Sequence, residues 1–346
     1  MTIGTGQEQP DTLADRAFAL VAARVGTALN AGEIAGAALG VVDASGNRAV
    51  RLAGHAALLP EPVPLRREHL FDLASLTKPL FTTATVLGLA EAGRIELDAP
   101  LAAVIRDLRQ YDVANAPERR LTPRDLLSHQ TFLPAVEPLY TRGLDPLTLR
   151  AFVLQRSWTR TDAPVYSDIN FILLGIAIER LTGRKLLDHP LPPGFTFTPA
   201  PGNSVATEFC FWRERMLRGV VHDENAHALG GAAGHAGLFG TVDAVLDEAL
   251  ALLDGSALSP EGLRTIRRPV GATRTVGWER AHPGWSGGAR CSEGTIGHVG
   301  FTGTGLWIDF RAGLAWTLLT NRVHPSRHRD TGIAALRRAV GQAIFG

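Results

Sequence analysis

Lysine is almost missing from this chain. Of 35 basic side chains, only Lys78 and Lys185 are lysines; the remaining 33 are arginines. Cysteine is equally scarce. Cys210 and Cys291 form no CxxC and no metal-like cluster, and spacing alone leaves open whether they pair. The net charge of +1 provides no field for nucleic acid or an anionic membrane, so neither is expected as a partner. No run of about 18 uncharged apolar residues occurs, which excludes an expected membrane-spanning helix. Met1 to Pro10 is polar without a basic n-region, and Asp11 to Asn30 carries Asp15, Arg16 and Arg24 inside its apolar pattern. No secretory leader is read there, and a cytoplasmic location is expected. Internal repeats and low-complexity segments are also missing.

What remains is an ordinary globular composition, 45% hydrophobic and 20% charged over 346 residues. It suits one large two-part domain over 1–346 with a substantial core. Helical periodicity predicts helices over Thr12–Asn30, Ser75–Ala92, Asn170–Leu181, Asp243–Leu253 and Gly332–Phe345. Thr122-Pro123 marks a further helix start, with a threonine cap and proline at the first position. Strands are expected at Gly36–Val42, Arg48–Gly54, Gly271–Gly277, His298–Phe301, Gly305–Phe310 and Leu314–Thr320. Pro60–Pro64 and Pro190–Pro201 read as loops. The order predicts an α/β (α+β) fold, with an antiparallel sheet flanked by the N- and C-terminal helices. The sheet part is expected from about 12–75 and 241–346, and a mostly helical part from about 76–240.

The lysine scarcity bears on chemistry. Arginine cannot usefully lose its proton, whereas lysine can be tuned towards a neutral amine. Lys78 follows Ser75 by three residues, so the two side chains share a helix face. Ser75 would sit at the helix N-terminus, where the dipole favours developing negative charge. A serine needs a base to become a nucleophile, and a neutral lysine amine can serve. With 11 serines in the chain, chance places a serine three before a given lysine about 3% of the time, so this spacing alone is a modest signal. A capping serine and a solvated lysine would give the same pattern.

Two further segments add weight. Tyr166-Ser167-Asp168 lies on a turn just before the apolar helix at Asn170, where a tyrosine can enter a cleft and share a proton with a lysine. Gly297-His298-Val299-Gly300-Phe301 opens a strand whose glycines allow close approach of a substrate backbone, and His298 can carry or relay a proton.

In order and rough spacing, Ser75-Leu76-Thr77-Lys78, Tyr166-Ser167-Asp168 and His298-Val299-Gly300 resemble the SxxK, YxN and K/H-T-G motifs of the serine β-lactamase and penicillin-binding protein superfamily. The likeness is to its class C-like branch, with DD-peptidases and β-lactamase-fold esterases, and it runs from about residue 30 to the C-terminus. Flanking stretches such as Leu121–His129, Gly230–Phe239 and Thr320–Pro325 are similar too. The resemblance implies a β-lactamase/transpeptidase-like fold and a serine hydrolase that acts through an acyl-enzyme on a carboxylic ester, amide or peptide. It implies Ser75 as nucleophile, Lys78 as its base or the partner of that base, Tyr166 as proton carrier, and His298 in the third motif. Asp168, Gly300 and Phe301 would meet the substrate, with the oxyanion between the backbone N–H groups of Ser75 and Phe301.

Departures from the pattern bear on substrate. Asp168 stands where Asn is usual and would pair with Lys78 while repelling an anionic substrate. Val299 stands where Thr is usual and removes a hydroxyl. The third motif supplies His298 rather than a fixed ammonium, and all three changes weaken recognition of carboxylates and point towards neutral esters or amides. A DD-carboxypeptidase or β-lactamase is the alternative reading, and a catalytically weak ligand-binding relative is the alternative of another class.

Gly284-Trp285-Ser286-Gly287-Gly288 matches the GxSxG nucleophile elbow but lacks the strand and helix it requires. His222, Asp223, Glu224, Asn225, His227 and His235 match no zinc spacing and read as a structural loop at the site's rim. Gly230 to Gly240 lacks the lysine and preceding strand of a phosphate loop. No metal and no cofactor are expected, and the oligomeric state is left open.

Overall fold

A computed structural model describes residues 8–26, 32–143 and 145–346. Its centre is a seven-stranded sheet. The strand order is Val63–Pro64, Arg48–Ala57, Gly36–Asp43, Leu314–Thr320, Gly305–Asp309, Ile296–Val299 and Glu279–Arg280. All neighbours are antiparallel, and the two ends of the chain meet where Ala37 pairs with Thr320 and Val41 with Trp316. The expected antiparallel sheet built from both chain ends is thus present.

Strand alternation divides the core. Ala37, Leu39 and Val41 turn to one face with Trp307, Trp316 and Leu318, where the helices Pro10–Ala22 and Ile333–Ile344 cover them through Leu13, Ala17, Val21, Leu336 and Val340. Trp307 and Trp316 pair across the strands with ring centroids 5.8 Å apart. Ala38, Val42, Ile308, Ala315 and Leu319 turn to the other face with Val245, Leu246 and Ala249 of the helix Val242–Leu253. Gly40 lies under that helix: a Cβ there would come within 2.8 Å of the Leu246 side chain, which would have to shift to admit it.

The segment between the sheet halves carries the helices Ala84–Glu91, Pro123–Leu127, Pro146–Gln155, Asp168–Thr182 and Glu224–Ala228. Thr122 and Asp125 form a reciprocal capping box at Pro123. The helix at Asp168 is buried along most of its length, from Ile169 to Ile178, and ends on Gly183 in the left-handed conformation.

Several expectations need correction. The first helix stops at Ala22 rather than Asn30, because Val25 leaves it to bridge Ile34; residues 27–30 lie outside the described residues. The predicted helix Ser75–Ala92 is three segments: a 3₁₀ turn Ala74–Leu76, a π-helical stretch Lys78–Thr83 and an α-helix Ala84–Glu91. Gly271–Gly277 is a looped turn with bridges at Val270–Arg274 and Arg274–Glu279 rather than a strand, its backbone reversing at Gly271 and Gly277. The strand at His298 begins earlier, at Ile296, and ends at Val299, because the chain turns at Gly300 to return as Gly305–Asp309. Val63–Pro64 adds a short edge strand within the expected loop, at the position where a proline costs no ladder bond.

Candidate active site

Ser75 is held by its neighbours before its own chemistry begins. Ala74 takes φ +48°, a left-handed backbone that alanine seldom adopts. The buried Asp72 carboxylate holds that turn, accepting from the Ala74 N–H at 2.8 Å and from the His222 N–H at 2.6 Å. Thr302 donates its hydroxyl to the Asp72 carbonyl at 2.7 Å and Thr304 donates to the Leu73 carbonyl at 3.0 Å. The Ser75 turn is therefore tied to the His222 segment and to the Gly300–Thr304 turn at once.

Lys78 follows in the π-helical stretch, a rare form that is frequent at functional sites. Pro79 falls in its first turn, where a missing N–H costs nothing. The Lys78 side chain is 0% exposed, and its charge is matched by a carboxylate. Nζ donates to Ser75 Oγ at 2.8 Å and to the His235 carbonyl at 3.1 Å, and lies 2.8 Å from Asp168 Oδ1. Two of its donors are hydrogen-bonded, and the contact with Asp168 is an ion pair. Burial alone would lower the lysine pKa, but the Asp168 carboxylate and Tyr166 more than offset it and leave it above the ordinary value. This corrects the expected neutral amine. Lys78 rests as an ammonium because Asp168 stands where the related motif has an uncharged asparagine.

Tyr166 is placed by the same turn, with its ring beside four groups. Lys78 Nζ lies 4.9 Å and Arg274 Cζ 5.2 Å from its centroid, the His129 ring 4.4 Å and the His298 ring 5.9 Å. Burial raises the phenol pKa and the Lys78 charge pulls against it; the net shift is upward, so the hydroxyl rests protonated, near Ser75 and Lys78.

His298 is pushed well below its ordinary pKa by burial and then by the Lys78 and Arg274 charges. It is neutral at neutral pH. With Nδ1 3.0 Å from the Val299 carbonyl, that nitrogen carries the proton and Nε2 is left as an acceptor. Gly300 has both backbone groups engaged: its N–H donates to Thr304, and its carbonyl accepts from Arg337 at 2.9 Å. A Cβ at Gly300 would lie 2.5 Å from the Leu73 carbonyl, so its contribution is close approach. Arg322 donates Nε to the Phe301 carbonyl at 2.9 Å, anchoring the residue beside it.

Sequence reasoning missed His129 as a site residue. Its Nδ1 accepts from the Ser167 N–H at 3.0 Å and lies 3.3 Å from Asn170 Nδ2, so the Tyr166-Ser167-Asp168 turn is fastened to it while its ring packs on Tyr166. Burial first, then the Arg274 and Lys78 charges, hold it well below the usual histidine range. The available signal was its position straight after a capped helix, where it takes φ +56°. Asp72 was missed as well, since an aspartate two residues before a helix start reads as a turn.

Ser75, Tyr166, Asp168, His298, Gly300 and Phe301 all line one cavity of about 760 Å³, with Lys78 beneath its floor. Its carboxylates are each partnered: Asp168 by Lys78, Asp223 by His235 at 2.9 Å, Glu224 by Arg327 and Glu279 by His282 at 2.8 Å. Burial opposes ionisation of Asp223, but His235 and the Ala226 N–H hold it well below the usual carboxylate range. His222 and Asp223 thus belong to the rim, as structural groups. Glu208, Cys210 and Glu224 lie close enough to suggest a cation, and Arg327 already bridges the two glutamates. Both cysteines are free. Ser286 accepts from the Trp307 indole N–H at 3.1 Å and does not line the cavity. Among the described residues no helix is long and apolar enough to cross a membrane.

Comparison with known proteins gives a consistent result. A family model described as Beta-lactamase matches residues 20–340. The N-acetylmuramyl-L-alanine amidase of Bacillus subtilis (strain 168) is 29% identical over 315 residues, covering 77% of this chain and 71% of that protein. The solved structure of EstCE1, a hydrolase with promiscuous acyltransferase activity, aligns with a TM-score of 0.73 at 20% identity over 97% of this chain and 99% of that one. A class C beta lactamase from Rhodobacter sphaeroides aligns with a TM-score of 0.72 at 18% identity, over 96% and 99%.

Proposed function

Because the chain belongs to the beta-lactamase family, we propose that it is a serine hydrolase that cleaves a carboxylic ester or amide through an acyl-enzyme on Ser75. The observation that carries this is Lys78 Nζ, buried under the cavity floor and 2.8 Å from both Ser75 Oγ and Asp168 Oδ1.

The resting ammonium cannot itself accept a proton. Lys78 therefore works as a unit with Asp168. As Ser75 Oγ attacks the substrate carbonyl, its proton passes to Lys78 Nζ while Lys78 passes one to Asp168 Oδ1. The carbonyl becomes an oxyanion between the Ser75 and Phe301 N–H groups. Tyr166, protonated at rest, gives its proton to the leaving group and is resupplied from Lys78, and the acyl-enzyme forms. Water then attacks by the reverse route. Neutral His298, whose ring lies 5.9 Å from that of Tyr166, helps to orient Tyr166 or the substrate. The division of the chain into a sheet part and a helical part with the cavity between them belongs to the same reading.

The test is a panel of short p-nitrophenyl esters, nitrocefin and a D-Ala-D-Ala peptide against wild type and Ser75→Ala. An ester burst with a matching mass increase on Ser75, lost in Ser75→Ala, is expected. A fluorophosphonate that leaves Ser75 unlabelled, or ligand binding with no turnover, would make the chain a binding relative. Rapid penicilloylation of Ser75 at micromolar penicillin would overturn the neutral-substrate expectation drawn from Asp168 and Val299.

A further inference from the structure

The exposed large apolar side chains of the described residues are not scattered evenly. Of ten, Val136 and Phe301 line the Ser75 cavity, and Phe209, Phe211 and Trp212 form the hairpin beside it. Tyr140 joins the two groups: it lines the cavity, and its ring packs on Trp212 with centroids 5.0 Å apart. An apolar wall therefore runs from Val136 through Pro138 and Tyr140 out to the hairpin. A contiguous apolar surface of this kind marks a binding region rather than ordinary surface.

The indole is held in place although nearly half exposed. Arg213 lies against it at 5.6 Å, and that guanidinium is itself fixed by donating to the Val221 and His222 carbonyls. The His227 ring closes one edge at 5.9 Å. A rigid exposed aromatic loses little freedom when a ligand covers it. Every carboxylate lining the cavity already has a partner, so nothing there calls for a cationic substrate group. Continuity with the cavity, through Tyr140, identifies the occupant as part of the same molecule that reaches Ser75.

We propose that Val136, Tyr140 and Trp212 form a subsite for a long apolar chain on the ester or amide cleaved at Ser75. This rests on the serine hydrolase reading above. The chain can belong to the acyl group or to the alcohol, and both place methylenes against the same wall.

The test compares kcat/KM for p-nitrophenyl acetate with p-nitrophenyl octanoate, and for ethyl acetate with octyl acetate. The first pair lengthens the acyl side and the second the alcohol side. Wild type is expected to prefer the longer member of at least one pair. Trp212→Ala should lower that preference about tenfold, the loss expected from uncovering roughly two methylenes. Phe211→Ala, at the exposed tip, should lower it less. Tyr111→Ala, 87% exposed and outside the cavity, should leave it as in wild type. Equal rates across chain length, or a preference untouched by Trp212→Ala, would overturn the subsite. So would a Trp212→Ala protein that changes its sedimentation coefficient with no change in preference, since the wall would then be a contact between copies. Failure of wild type to label at Ser75 with a small fluorophosphonate would instead remove the hydrolase reading beneath it.

Discussion

Replacing Asp168 by asparagine should make the stability of this protein depend on pH in a way the wild type's does not. The carboxylate lies 2.8 Å from an ammonium that is 0% exposed. At an effective dielectric of about 20, an ion pair at that distance is worth ~6 kcal/mol. Without Asp168 the buried ammonium loses its counter-charge, and releasing the proton becomes the less costly state. From an ordinary lysine value of about 10.4, neutral Lys78 costs ~4.6 kcal/mol at pH 7 and ~1.9 kcal/mol at pH 9. The destabilisation by Asp168→Asn is thereby capped near 5 kcal/mol at pH 7 and shrinks by ~1.4 kcal/mol per pH unit as pH rises. The sign follows from proton counting: in the variant the unfolded chain binds one proton more at Lys78 than the folded chain, so stability rises with pH. In wild type the Lys78 pKa is raised in the folded state. Its contribution is complete below the unfolded lysine value and is lost only as pH climbs past the folded one, so it is flat between pH 6 and 9. Urea denaturation of both proteins at pH 6, 7, 8 and 9 measures the difference. A difference below ~1 kcal/mol at pH 7, or one constant across the series, would refute the reasoning.

Other consequences are equally direct. Lys78→Arg should abolish Ser75 acylation, by ~10³-fold or more on the scale of lost proton transfer, because a planar guanidinium cannot present one nitrogen to Ser75, Asp168 and the His235 carbonyl; Lys185→Arg, on the exposed surface, should be silent. Near-normal burst kinetics in Lys78→Arg would remove the proposed proton route. Ser286→Ala should cost ~1 kcal/mol through the lost Trp307 bond and retain ester turnover, and a large activity loss would reinstate the GxSxG serine. His298 is held neutral with a lowered folded pKa, so its contribution to stability is full above about 6.5 and is lost as pH falls below it, at up to ~1.4 kcal/mol per pH unit. His298→Gln should reduce that acid-side slope in a denaturation series from pH 7 to 5; an unaltered slope would mean the ring is already charged in the fold.

Much of the fold was legible along the chain. The paired strands Gly36–Asp43 and Leu314–Thr320, the capped helix at Pro123 and the apolar helix ending at Gly183 follow from alternation, capping chemistry and a left-handed glycine, which are properties of neighbouring residues. The misreadings share a cause. Gly271–Gly277 has strand-like composition, but its backbone turns back on itself where Val270 bridges Arg274, and is held from a distance where the Gly277 N–H donates to the Leu127 carbonyl. Ser75–Ala92 keeps its helical periodicity, but its middle widens to a π-helix where Thr82 donates to the Gly234 carbonyl.

The candidate site divides in the same way. The sequence by itself predicted that Ser75 and Lys78 share a face from their i, i+3 spacing, and the contact is made where a 3₁₀ turn runs into a π-helical stretch. It also limited the amines that could act as a base to two, by writing lysine only at 78 and 185. The tertiary structure decided their protonation. Asp168 arrives from a helix ninety residues downstream and keeps Lys78 charged, while burial, aided by the Lys78 and Arg274 charges, keeps His298 and His129 neutral. Protonation depends on burial and on charges a few ångströms away in space, and residue order along the chain does not fix either of these.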